Sequence, residues 1–172
     1  MGKGRGIRCY DYVNHPYDRV RDALSKDTLE VFQHATKAAA SRARSVASEL
    51  RVNVGGIEVG TDIAITVNKI EERGSEGVSD STTHLYFEWE AAKSPRLFPF
   101  MQAELTIYSL TASETQLDFA GNYQPPLGAV GSAINALVGY RIAEVSVHRF
   151  VADVAQHLRT ILAQARGSET DR

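Results

Sequence analysis

The sequence predicts an α+β domain in which a curved antiparallel β-sheet wraps around a long C-terminal α-helix. Several stretches in the middle of the chain alternate apolar and polar residues, which is typical of strands with one dry and one wet face. Residues 130–165 instead repeat their apolar positions at spacings of three and four, which indicates an amphipathic helix. A helix of about 35 residues spans ~50 Å, so we expect it to cross much of the sheet.

The composition fits one globular domain. The 172 residues include 43% hydrophobic and 23% charged residues, and we expect the domain to cover residues 7–165 with flexible termini at 1–6 and 166–172. The formal net charge of -2 gives no general attraction to nucleic acid. Cys9 is the only cysteine, which excludes an internal disulfide and favours a reducing compartment. No apolar run approaches the ~20 residues of a membrane helix. We therefore expect a cytoplasmic protein that does not insert into membranes.

The first part of the chain predicts one strand followed by two helices. Residues 7–13 are rich in residues that favour strands. A short helix is expected over 16–24, because Pro16 suits a first helical turn. Asp27 and Thr28 can cap a second, alanine-rich helix that runs to about Leu50. The sequence thus places two helices between strands 1 and 2.

The middle of the chain predicts an antiparallel meander. Leu50, Val52 and Val54 alternate with polar residues, and Gly55-Gly56 suits a hairpin turn. Later stretches alternate in the same way, with turns between them. The positions expected to face the core in these later stretches are Thr61, Ile63, Ile65, Val67, Leu85, Phe87, Trp89, Ala91, Met101, Ala103, Leu105, Ile107, Thr115, Leu117, Phe119, Gly121 and Tyr123.

This order of elements resembles the helix-grip superfamily, which includes START domains, Bet v 1-like proteins and polyketide cyclase/dehydrase-like (SRPBCC) proteins. Two segments carry the resemblance: Val-Asn-His-Pro-Tyr-Asp-Arg-Val at 13–20, and Tyr-Gln-Pro-Pro-Leu-Gly at 123–128, which leads into the last helix. The resemblance extends over about residues 7–162. It implies a cavity between sheet and helix for lipids, quinones, polyketides or other apolar ligands. The second helix is longer than the short pair usual in that superfamily.

A straight helix cannot contact a curved sheet along its whole length, so space is expected at one end of the groove. Ligand sites are mostly apolar with a few polar groups, here Trp89, Tyr123 and Arg141. Taken singly, an inward apolar residue is most simply interpreted as part of the hydrophobic core. In the same way, Met101 suits a side chain that fills a gap in the core, and Arg141 suits a solvated charge or an ion-pair partner of Glu144. The predicted ligand-binding set is Leu85, Phe87, Trp89, Met101, Leu105, Leu117, Phe119, Tyr123, Ile134, Leu137 and Arg141.

The sequence predicts no catalytic residue, no metal site and no cofactor. None of the five histidines has a metal-binding spacing. Asp153 and His157 lie four residues apart on the predicted helix, which is typical of a surface pair. Cys9 has no evident activating base, so we interpret it as a buried structural thiol.

Three functional hypotheses follow. The first is a non-catalytic carrier or sensor of a lipid, quinone or polyketide-like molecule. The second is a polyketide aromatase/cyclase or dehydratase in which Tyr123, Arg141 or Glu104 assists proton transfer, although the alternation places Glu104 on the outer face. The third is a protein-interaction module of the quinone-chaperone or antitoxin type. The alanine-rich helix carries basic residues that suit either a solvated face or packing on a second subunit in a homodimer.

Overall fold

The computed structural model describes residues 4–49, 63–74, 81–91, 100–124 and 133–170. The N-terminal strand begins at Arg5, two residues before the start that the sequence predicts. The elements follow in the order β1 (Arg5–Val13), α1 (Tyr17–Glu49), β2 (Ile63–Arg73), β3 (Thr82–Ala91), β4 (Phe100–Thr111), β5 (Glu114–Gln124) and α2 (Ala133–Thr170).

The five described strands form one antiparallel sheet in the order β1-β5-β4-β3-β2. Strands β2 to β5 are a meander, as predicted. Strand β1 pairs with β5, so the beginning of the chain lies beside the last strand, with Arg5 opposite Tyr123. The pairing of β2 with β3 shifts register between Val67 and Lys69, which marks a bulge in the edge strand.

The alternation of apolar and polar residues predicts which side chains of each strand are buried, and the observed burial confirms this prediction. In β3, Leu85, Phe87 and Trp89 are buried, whereas the residues between them are partly exposed. Strands β4 and β5 follow the same period of two. The buried face, which we call the concave face, carries both helices. Its buried residues on β4 and β5 are Met101, Ala103, Leu105, Ile107, Thr115, Leu117, Phe119, Gly121 and Tyr123.

The two predicted helices after β1 are one helical run with a kink. Asp27 has φ -125 and ψ 28, which is outside the helical region, and it interrupts α1 where the sequence predicts a break. The predicted cap at Thr28 is wrong. The Thr28 hydroxyl donates backwards to the Leu24 carbonyl, which is the local bond that serine and threonine make within helices.

Helix α2 lies against α1, β1 and the concave face. Its buried residues recur with the predicted helical spacing: Val147, Phe150, Val154 and Leu158. Near its C-terminal half, Arg159 donates to the Asp11 carboxylate at 2.8 Å and also to the Tyr12 carbonyl. These bonds attach α2 to β1. None of the described helices is both long and apolar enough to cross a membrane.

Several predictions lie outside the described residues. They are the strand at Leu50, Val52 and Val54, the turn at Gly55-Gly56, the segment after Gln124, and the start of the last helix at Val130.

Candidate functional site

The inward residues of neighbouring strands align in rows across the concave face. At one end of the groove, the strand register places Arg5 opposite Tyr123, Tyr123 opposite Met101, Met101 opposite Trp89, and Trp89 opposite Ile65. We call this set the end row. It contains Trp89 and Tyr123, the two aromatic strand residues of this face that carry polar atoms, together with the cation of Arg5.

The centre of the concave face is filled by aromatic side chains. The Phe150 ring of α2 lies 5.4 Å from Trp89 and 5.9 Å from Phe87, measured between ring centroids. It also lies 6.3 Å from Phe119 and 5.4 Å from Phe32 of α1. These tilted and edge-on arrangements are the favourable ones for aromatic rings. Of the predicted ligand-binding set, Phe87, Trp89 and Phe119 therefore pack against Phe150 in this centre.

Met101 acts as the gap-filler that the sequence suggests. A β-carbon added at Gly121 would lie 2.8 Å from the Met101 sulfur and 2.8 Å from the Phe119 ring. Both side chains thus occupy the space above the glycine. The flexible thioether suits such an irregular gap.

Tyr123 is the polar group at the interior of the end row. Its side chain is only 4% exposed, and burial raises the pKa of its phenol to about 12, so it stays protonated at neutral pH. A β-carbon added at Gly139 of α2 would lie 2.6 Å from the Tyr123 hydroxyl oxygen. The absence of a side chain at position 139 therefore makes room for this hydroxyl.

The Tyr123 hydroxyl has no hydrogen-bond partner among the described residues. The other buried hydroxyls of the described chain all have one, as buried polar groups normally do. They pair as Tyr17 with Thr83, Thr115 with the His15 carbonyl, Ser146 with the Ile142 carbonyl, and Thr36 with the Gln33 carbonyl. Tyr123 thus retains a donor and an acceptor that no described residue uses.

Tyr140 connects α2 with the start of β1 beside Tyr123. Its hydroxyl donates to the Gly6 carbonyl at 3.2 Å, and its ring meets Tyr123 edge-on at 6.2 Å. The guanidinium carbon of Arg5 lies 3.9 Å from the centre of the Tyr140 ring. This cation–π contact holds the positive charge of Arg5 on the helix side of the sheet.

The structure does not bring all predicted site residues together. The sheet residues of the set are buried on one face, but the Arg141 side chain is exposed. Ile134 and Leu137 belong to α2, and their side chains lie outside the described part. The predicted ligand-binding set did not include Arg5, Gly139 or Phe150, which the structure places beside it. Arg5 continues the period of two from Ile7 and Cys9, a signal hidden by the assignment of residues 1–6 to a flexible end.

The outer face and the helix pair hold the remaining titratable groups. Glu104 lies on the outer face, as predicted, with its carboxylate 2.5 Å from His84 Nδ1. The predicted pairing of Asp153 with His157 is wrong, because Asp153 instead bonds His34 of α1 at 2.5 Å. The His157 ring lies beside His34, with the ring centroids 5.1 Å apart and the planes tilted by 31°. No cluster of three metal-ligating side chains occurs in the described ranges.

Cys9 is buried in β1. Desolvation, followed by the nearby charges of Asp118 and Asp11, raises the pKa of its thiol to about 12. The reactive thiolate is therefore scarce at neutral pH, which agrees with a structural thiol.

Comparison with known proteins identifies the fold. No protein-family model matches the sequence, and no curated protein matches it. Among solved structures, the Zhui aromatase/cyclase from Streptomyces sp. R1128 is similar with a TM-score of 0.50 and 11% identity over 90% of this chain and 93% of that chain. A START superfamily protein from Mycobacterium smegmatis gives 0.48 and 10%, over 92% and 99%. Ara h 8.0201 gives 0.43 and 7%, over 91% and 98%.

The chain has the helix-grip fold that the sequence predicts. The described sheet and the long C-terminal helix that packs on it supply its two defining parts. At 11% identity the likeness concerns the fold alone.

Proposed function

We propose that the protein binds a small hydrophobic molecule, such as a lipid, a quinone or a polyketide-like compound, between the concave face and α2, and that it acts as a carrier or sensor. The observation that carries this proposal is Tyr123. Its side chain is buried, its hydroxyl has no hydrogen-bond partner among the described residues, and it lies against a glycine of α2. A mostly apolar wall with one or two polar groups is the usual design of a small-molecule site.

A second candidate is a cyclase or dehydratase of polyketide-like substrates, which the fold of the Zhui aromatase/cyclase favours. Proton transfer needs groups within hydrogen-bond reach of one substrate atom. Glu104 lies on the opposite face of the sheet from Tyr123, and Arg141 is exposed. The three groups considered for this chemistry do not converge, so ligand binding is the better supported function.

Native mass spectrometry and solvent extraction of the purified protein test the binding proposal. We expect an apolar species that survives purification and leaves on denaturation. Trp89 is the only tryptophan and lies in the end row, so its fluorescence should respond to palmitate, a short-chain ubiquinone or emodin. An empty protein whose Trp89 emission ignores all three probes would refute the proposal.

Replacing Gly139 with leucine should close the site at Tyr123. The added side chain needs the space that the Tyr123 hydroxyl occupies, so we expect the affinity for a responding probe to fall more than tenfold, a change of about 1.4 kcal/mol or more. Fluorescence titration measures the loss, and circular dichroism checks that the fold persists. Ala152→Leu is the matched control on the same helix, because Ala152 is exposed. Equal losses in both variants would contradict a local effect.

A further inference from the structure

Two donors lie side by side at the end of the groove. Arg5 and Tyr123 are directly paired residues of β1 and β5, and adjacent strands are about 4.8 Å apart. Arg5 is an exposed residue, but unlike Arg141 its guanidinium has a recorded contact on the helix side of the sheet, with the Tyr140 ring, which also meets Tyr123 edge-on. A cation and a neutral phenol thus contact the same Tyr140 ring at one end of the concave face.

No acidic side chain balances this cation within the end row. Its other members are Met101, Trp89 and Ile65. The carboxylate on the inward side of β1 is Asp11, six residues along the strand, and it is bonded to Arg159. Charge and donor geometry at this end therefore match an acceptor that carries negative charge.

We propose that the hydrophobic ligand of this site carries a carboxylate, which Arg5 and Tyr123 bind together while the apolar body extends along the concave face toward Trp89. The inference rests on the proposed function, since it names the polar end of the molecule held there. Charge-assisted hydrogen bonds are the stronger class, and a hydroxyl beside the guanidinium fixes the orientation of the carboxylate. Strand spacing places Trp89 about 10 Å from Tyr123, two strands away, where it senses the apolar body rather than the head.

A matched pair of probes, dodecanoate and 1-dodecanol, tests the head-group preference. Both offer the same chain, but only dodecanoate carries a charge. We expect dodecanoate to bind about tenfold more tightly in a Trp89 fluorescence titration below the critical micelle concentration. Arg5→Gln should remove most of this difference by weakening dodecanoate alone. Arg8→Gln is the control, because Arg8 lies on the opposite face of β1 and should change neither affinity.

The outcomes separate the two proposals. If both probes bind equally and Arg5→Gln changes nothing, the carboxylate inference is overturned while ligand binding stands. Failure of dodecanoate to bind also overturns the inference, whereas the proposed function fails only if the purified protein is empty as well. Arg5→Lys, which retains the charge, should keep a preference for dodecanoate. If Arg5→Lys lowers the affinity for dodecanoate as much as Arg5→Gln does, the positive charge at position 5 is not what the site recognises.

Discussion

Replacing Phe150 with alanine is expected to lower the free energy of unfolding by about 3–5 kcal/mol, a large part of the stability of a domain of this size. Phe150 is fully buried and touches aromatic rings from three other elements. Its removal leaves a cavity where α1, α2 and the sheet meet, and rings packed from several directions cannot all collapse into it. Urea denaturation followed by Trp89 fluorescence measures the change, because Trp89 contacts Phe150.

Two variants bracket this effect. Phe150→Leu keeps part of the volume and should cost less than half as much. Arg149→Ala alters the exposed neighbour on α2 and should stay within about 0.5 kcal/mol of the wild type. If Phe150→Ala costs less than about 1 kcal/mol, Phe150 is not the residue that joins the helices to the sheet.

Alkaline pH is expected to destabilise the protein through Cys9 and Tyr123. Burial raises the pKa of Cys9 from 9.0 and that of Tyr123 from 10.0, each to about 12. The native state therefore keeps protons that the unfolded chain has released, so the free energy of unfolding falls as pH rises. The full free energy of unfolding is present below pH 9. Above that, each group lowers it by about 1.4 kcal/mol per pH unit between the pKa of the group in the unfolded chain and its pKa in the folded protein.

Urea denaturation at pH 8 and pH 10.5 measures this loss. We expect the wild type to lose about 3 kcal/mol more than the double variant Cys9→Ala/Tyr123→Phe, which lacks both groups. Tyr10→Phe removes an exposed phenol from β1 and should keep the wild-type dependence on pH. Identical pH dependence in the wild type and the double variant would mean that neither group is buried as described.

The faces of the strands were predictable because side-chain direction in a strand has a local cause. Successive residues point to opposite sides, so Leu85, Phe87 and Trp89 had to share a face whatever their neighbours. The break in the first helix was also predictable at Asp27. The role of Thr28 was not predictable. Its hydroxyl can bond to the backbone on either side, and the local sequence does not decide which of the two partners it takes.

The candidate site was predictable only in part. Tyr123 and Trp89 belong to the predicted set and lie in the end row, but Arg5 replaces Arg141 as the cation beside them. The pairing of Arg5 with Tyr123 joins two ends of the chain that are far apart in sequence. Gly139 was interpreted as a place for a bend, and its contact with the Tyr123 hydroxyl depends on how α2 lies on the sheet.

The sequence by itself determined the class of the fold, the inward set of each strand and the long final helix, because periods of two and 3.6 residues follow from backbone geometry alone. The tertiary structure decided which residues meet. It placed Phe150 among rings from α1 and the sheet, left the Tyr123 hydroxyl against a glycine, and put Arg5 beside it. These contacts depend on the register of the strands and on the position of α2 on the sheet. Both are determined jointly by many residues that are distant in the sequence.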